Sequence, residues 1–356
     1  MTQNPSVRVS RREHLAPQVV FVDGIEGCGK TMLSPILSAL DRAELLTYAY
    51  ELEHVVSLNQ LGKLDDDAAD VMISMLADLQ LYNTMQSRQL NFRPGDLSSV
   101  FRASRPLRYL QRLFQPGDRA AAERIPAERP ILLLTTHRMI AFCEPIVRAL
   151  GARATFIEVV RHPLYVIIQN SRNFEGLIGT ARDFTIYYDH QGQDLPYFVR
   201  EWEDRFIESN PVERAVYSVQ HLSTRSDAHR AALRDASTST ILTVPFEQFV
   251  VAPDPFMRMF EETLHTNVTR ATRRVMAKQR VPRTRYADSI DLAVYRRCGW
   301  EPPKQGLTER EELEYRRIWV ESQVSPAAMQ VLDSLCDEYE RRYMGGVLRA
   351  GSSSYT

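Results

Sequence analysis

Cysteine is scarce in this chain: four thiols in 356 residues, Cys28, Cys143, Cys298 and Cys336, with no Cys-x-x-Cys pair among them. Spacing this wide speaks against a disulfide frame or a zinc site and fits the reduced thiols of a cytoplasmic protein. Long apolar runs are missing too. No stretch approaches the ~18 apolar residues of a membrane span, and no hydrophobic segment precedes Val19. Neither charge is in excess. Lys and Arg number 44 against 45 Asp and Glu, so bulk charge points to neither a nucleic-acid nor a membrane partner. The length does allow a large core. One elaborated α/β domain is expected over 18–346, after a polar lead-in (1–17) and before a flexible tail (347–356).

The densest signal is Val19-Val20-Phe21-Val22-Asp23-Gly24-Ile25-Glu26-Gly27-Cys28-Gly29-Lys30-Thr31. Its first four residues predict a buried parallel strand. Three glycines follow, and then Met32, Leu33, Ile36, Leu37 and Leu40 recur on one helical face. Gly24, Gly29, Lys30 and Thr31 fit G-x-x-x-x-G-K-[ST], the Walker A pattern. Glycines let backbone N–H groups close around a phosphate, and the helix N-terminus adds partial positive charge. Lys30 can reach an outer phosphoryl or sulfuryl oxygen, and Thr31 can take a hydroxyl-scale contact or a magnesium ion. Cys28 lies inside the loop, where a helix N-terminus can lower a thiol's pKa. A small filler is its plainer role.

Further along, Leu45–Tyr50 predicts a second strand that delivers Glu51, Glu53 and His54 to its C-terminal end, where ligands sit in open α/β sheets. Each is a candidate base or a solvated loop charge. Asp65–Leu90 has a helical pattern in which the methionines read as core filler. Arg102, Arg105, Arg108 and Arg112, among Leu107, Tyr109, Leu110, Leu113 and Phe114, could bind an anionic or sugar acceptor or be a solvated helix face. The strand Ile131–Leu134 ends in Thr135-Thr136-His137-Arg138, which places an imidazole where it can take a proton. The strand Phe156–Val160 ends in Arg161-His162-Pro163, a planar fork suited to phosphate just ahead of a helix.

This succession of glycine loop, strand ending in Thr136-His137 and strand ending in Val160-Arg161-His162-Pro163 resembles the sulfotransferases. Members use 3′-phosphoadenosine 5′-phosphosulfate (PAPS) and share the P-loop nucleotide-binding fold. The resemblance implies a doubly wound, mostly parallel α/β sheet of P-loop type, with helical insertions at about 55–125 and 175–238 and a helical C-terminal end. It implies that Arg161 holds the 3′-phosphate, helped by a serine eight residues on in the family. Gln169 stands at that position, with Ser171 two residues further. Thr135-Thr136-His137 matches the Lys-Thr-His of cytosolic members, whose His is the base. Heparan-type members place a glutamate after the second strand, which matches the Glu51/Glu53 region, so both candidates stand. Downstream, Tyr197–Trp202 resembles the family's aromatic-then-Trp helix, and Ile241–Phe249 its later strand. Lys278, Arg280 and Arg283 are matched by position to the basic loop that closes over the 3′-phosphate; a solvated basic helix is the alternative. Gly24, Gly27, Cys28, Gly29, Lys30 and Thr31 complete the expected donor site. The acceptor implied is a metabolite or saccharide hydroxyl or amine, with no metal, no nucleic acid and no membrane span.

The loop itself departs from that family. Gly24–Thr31 resembles the loop of thymidylate kinases, and Gly27 occupies the position of the usual donor-binding lysine, so Lys30 has to supply the charge. A nucleotide or small-molecule kinase using Mg-ATP near Thr31 is therefore a rival expectation. Against it, the third strand is followed by no Asp-Arg-Tyr/His motif and the chain has no compact arginine lid. A regulator that binds nucleotide without transfer chemistry is a third.

Overall fold

Two apolar alternations run through β1 (Val19–Asp23), and both end in core. Val19 and Phe21 face one side, packed with Leu132, Leu134 and Phe156, while Val20 and Val22 face the other with Leu133, Ile157 and Val159. A strand buried on both faces must be central. The computed structural model describes residues 7–236, 238–288 and 306–345. Its elements follow in the order β1, α1 (Lys30–Leu37), β2 (Thr47–Tyr48), α2 (Tyr50–Gln60), α3 (Asp66–Met85), α4 (Pro106–Arg112), α5 (Asp118–Glu128), β3 (Leu132–Thr135), α6 (Glu144–Leu150), β4 (Ala154–Val160) and α7 (Pro163–Gly176). They continue with β5 (Tyr187–His190), β6 (Gln193–Pro196), α8 (Glu203–Glu208), α9 (Pro211–Ala236), β7 (Thr240–Pro245), α10 (Phe246–Val251), α11 (Asp254–Leu264), α12 (Arg270–Lys278), α13 (Glu309–Glu321) and α14 (Pro326–Tyr339).

The main sheet is parallel throughout, in the order β2-β3-β1-β4-β7, with Phe21 opposite Leu134 on one side and Phe156 on the other. Helices cover both faces, as a doubly wound α/β fold requires. α2, α3 and α6 contribute Val55, Ile73 and Ile146 to one core, and α1, α10 and α11 contribute Leu33, Phe249 and Phe260 to the other. A third apolar cluster joins α7, α9, α13 and α14 through Ile167, Val216, Val320 and Leu332. The Phe21 and Phe156 rings stack at 5.1 Å. Truncating either to alanine should cost about 3–5 kcal/mol.

Several expectations need correction. The second strand is only Thr47–Tyr48, and helix α2 starts at Tyr50, so Glu51, Glu53 and His54 lie on a helix. Acidic residues in a first turn favour the helix dipole, which outweighs the strand pattern before them. On α3 the core face is Ala69, Ile73, Ala77 and Leu81; Met72, Met75 and Leu79 are exposed, not filler. The region 175–238 is not only helical. It carries the antiparallel hairpin β5–β6, and Tyr197–Val199 is a 3₁₀ turn ahead of the short α8. Ser325 caps α14 through its side chain, as its Ser-Pro start suggests. Of the cysteines, Cys28, Cys143 and Cys336 are free thiols, whereas Cys298 and the tail 346–356 lie outside the described residues.

Candidate active site

Each strand of the parallel sheet ends at one cleft. β1 delivers the glycine loop, β2 Tyr48 and Tyr50, β3 His137, β4 Arg161 and β7 Phe246, around a volume of about 550 Å³. This is the carboxyl edge of the sheet, where the chain leaves β1 toward β2 on one side and β4 toward β7 on the other.

The loop is held by contacts that only glycine allows. Gly29 caps α1 at φ 107°, and a Cβ there would collide with the Phe246 ring; Gly24, at φ 143°, has the carbonyl oxygen of Val159 against it. Lys30 is buried and its ammonium donates to the Gly24 carbonyl. Glu26 is clamped by Arg138, whose Nε donates to Oε2 at 2.9 Å and whose guanidinium lies over the Phe198 ring at 4.1 Å. Burial alone would raise the Glu26 pKa, but Arg138, His137 and Lys30 hold it down to about 2. The Cys28 thiol goes the other way. Burial pushes it up to about 11, so in the folded protein it is a packed thiol and not an activated one.

The turn after β3 is built by a residue the sequence reading passed over. Asp23, at the end of β1, accepts from Thr136 Oγ1 at 2.9 Å, Met139 N at 3.0 Å and Ile140 N at 2.9 Å. That locks the segment carrying His137. The rival bases then turn out to be partners. Glu53 Oε1 accepts from the His137 backbone N–H at 2.8 Å and lies 3.1 Å from its Nδ1. A carboxylate can only accept, so Nδ1 carries the hydrogen of this contact, and in the neutral ring the lone pair is then on Nε2. The His137, Tyr48 and Tyr50 rings are nearly parallel with centroids 5.9–6.4 Å apart. Three roughly equal separations describe a triangle of offset, nearly parallel rings, since in a column the outer pair would be twice as far apart. Glu51, one residue from Leu52 on α2, faces solvent outside the cleft.

At the other end Arg161 lies between two rings, 4.3 Å from both Tyr165 and Phe246, and its Nη1 donates to the Gly27 carbonyl at 3.2 Å. Its buried Nε has no hydrogen-bond partner among the described residues; Glu247 Oε1 is 3.9 Å away. Gln169 packs beside Gly27 and lines the cleft. Ser171 does not. It is buried, and its hydroxyl donates to the Ile168 carbonyl at 2.9 Å, the ordinary fate of a serine on an inward helix face. Of the basic residues after α11, Arg283 reaches the cleft, with its guanidinium 5.8 Å from the Phe246 ring; Lys278 and Arg280 are exposed and lie outside the described lining. Two cations unassigned from the sequence, Arg172 and Arg182, do line it, so Lys30, Arg161, Arg172, Arg182 and Arg283 converge against Glu26 and Asp288. A side pocket of about 150 Å³, lined by Phe184, Tyr197 and His54, shares Tyr50, His137 and Arg182 with the cleft. No helical or strand periodicity marks Arg172 or Arg182, and the only available signal was their position after β4.

Three similar solved structures are sulfotransferases. They are the sulfotransferase domain of the Synechococcus PCC 7002 olefin synthase (14% identity, 88% of this chain and 97% of that one, TM-score 0.36), sulfotransferase STF9 from Mycobacterium avium (13%, 87% and 77%, 0.38), and the sulfotransferase domain from the curacin biosynthetic pathway (15%, 88% and 100%, 0.38). No family model matches the chain, and no curated protein sequence matches it.

The placement of the basic residues separates two variants. Arg283→Ala should weaken nucleotide binding about 10-fold, the scale of one lost charge-assisted contact, while Lys278→Ala should change it less than about 2-fold. Titration of each variant with 3′-phosphoadenosine 5′-phosphate (PAP) by calorimetry makes the comparison; equal losses would mean that the exposed helix end takes part in binding.

Proposed function

We propose that this protein is a PAPS-dependent sulfotransferase acting on a hydroxyl or amine of a metabolite or saccharide. The observation that carries the reading is one cleft lined by the glycine loop, by Lys30, Arg161, Arg172, Arg182 and Arg283, and by His137, whose Nδ1 lies 3.1 Å from Glu53. The residues present fit a nucleotide bearing phosphates at two positions. The loop amides and Lys30 suit one anionic group, while Arg161, whose buried Nε has no hydrogen-bond partner among the described residues, together with Arg283 and Gln169 suits a second. When bound, PAPS supplies an activated sulfuryl group.

The chain's own contribution is position and charge. Lys30, which in this structure donates to the Gly24 carbonyl of the loop, would stabilise negative charge growing on the leaving 5′-phosphate side. His137 Nε2 would accept the proton of the acceptor hydroxyl or amine, and Glu53 would stabilise the imidazolium through Nδ1. Tyr48, Tyr50 and the side pocket would form the acceptor wall. Asp23 bears on the kinase reading. Its carboxylate is taken up by three donors from the turn after β3, so its role here is to hold the segment that carries His137.

Thermal shift tests the donor class. PAP should raise the melting temperature without magnesium, and ATP with magnesium should do much less at equal concentration. Stabilisation by Mg-ATP alone, with ATP-dependent transfer, would replace this reading with the kinase.

A further inference from the structure

Helix α4 is docked the wrong way round for a helix in water. Arg108, Tyr109 and Arg112 point into the protein. Glu44, fully buried, receives Arg108, the Tyr109 hydroxyl at 3.1 Å and the Arg112 guanidinium at 2.8 and 3.0 Å, and Arg105 reaches Asp41 at 3.2 Å. The arginines read from the sequence as a candidate acceptor site are thus mostly structural anchors. Its apolar residues point out. Leu107 is 68% exposed, Leu110 and Leu113 are exposed beside it, and Phe114 is 89% exposed. Surface helices ordinarily do the reverse. The preceding loop adds Phe92 and Phe101, exposed and in edge-to-face contact at 6.0 Å. An apolar face of this size, built by ion pairs that turn the helix over, is a surface made to be covered.

Charge selects the cover. Between Gln89 and Gly117 the chain carries five arginines and one acid, Asp96; Arg105, Arg108 and Arg112 are taken up by Asp41 and Glu44, so the surface charge is that of Arg93, 3.9 Å from Asp96, and of Arg102. Beside the two phenylalanines, Arg93 has 85% of its side chain exposed, and Arg102 is exposed with its Nε donating to the Pro94 carbonyl. A two-fold self-contact would set this basic surface against itself. A surface of anionic headgroups over hydrocarbon satisfies both halves, with arginines at the headgroup level and Leu107, Leu110, Phe101 and Phe114 at the acyl boundary. We propose that this face, α4 with the 92–102 loop, docks peripherally on an anionic lipid bilayer. No described helix is long and apolar enough to cross a membrane, so the contact would be interfacial.

Co-sedimentation of the full chain with vesicles tests it. The protein should bind phosphatidylcholine vesicles containing phosphatidylglycerol, should bind pure phosphatidylcholine weakly, and should lose affinity as salt is raised. The Leu107→Asp/Phe114→Asp variant, altered only at exposed positions, should keep its melting temperature and its PAP affinity but bind the anionic vesicles about 10-fold less well or worse. Arg93→Glu/Arg102→Glu should remove the preference for phosphatidylglycerol. Absence of binding by the folded wild-type chain would overturn the proposal, as would equal binding by the Leu107/Phe114 variant. A wild-type dimer that this variant dissolves, without vesicle binding, would assign the face to a second copy instead.

Discussion

His137→Ala is expected to lower single-turnover sulfuryl transfer by roughly 10²–10⁴-fold, the range for a lost general base, with PAP affinity unchanged. The reason is geometric. Asp23 and Glu53 together fix the turn and the ring of His137, and in the neutral ring the nitrogen opposite the Glu53 contact is the one with a lone pair. Glu53→Gln should lose less, because its carboxylate acts through the imidazole. The double variant should lose little more than His137→Ala alone, since two residues acting as one unit are not additive. Glu51→Gln, on the solvent side of α2, should be close to wild type. A nearly normal His137 variant beside a crippled Glu53 variant would make Glu53 the base.

Arg161→Ala is expected to weaken PAP binding by about 10–100-fold, the scale of a lost hydrogen bond to a charged group in a buried site. Transfer at saturating donor should fall less. Arg161→Lys should rescue only part of the loss, because an ammonium cannot lie flat between the Tyr165 and Phe246 rings as the guanidinium does. Lys30→Ala should show the opposite split, with slower transfer and donor affinity largely kept, as removal of an interaction that grows toward the transition state demands. Calorimetry with PAP and single-turnover transfer, run on the same folded variants, separate the two. If Arg161→Ala binds PAP as tightly as wild type, Arg161 is outside the site.

Much of the frame was legible in the chain. The glycine loop between a fully buried strand and a helix, the alternation that makes β1 central, and the ends of β3 and β4 at His137 and Arg161 are local patterns, and local sterics and period-two burial determine them. Residues whose role depends on a distant partner were not legible. Asp23 meets the turn after β3 across more than a hundred residues, and Glu53 reaches His137 in that turn from helix α2. Ser171 and Gln169, two apart on α7, differ only in the face they present.

The sequence by itself determined that β1, β3 and β4 are buried, where the glycine loop forms and that His137 and Arg161 stand just past the ends of β3 and β4, because those follow from backbone conformation and hydrophobic period. Only the tertiary structure decided that the two candidate bases are one hydrogen-bonded pair, that Arg172, Arg182 and Arg283 join Lys30 and Arg161 while Lys278 and Arg280 do not, and that α4 turns its leucines outward. Those outcomes rest on charge pairs and packing between residues far apart in the chain. The buried Glu44 carboxylate, for one, can be left without water only if arginines come to it, and they carry the apolar face of their helix to the surface.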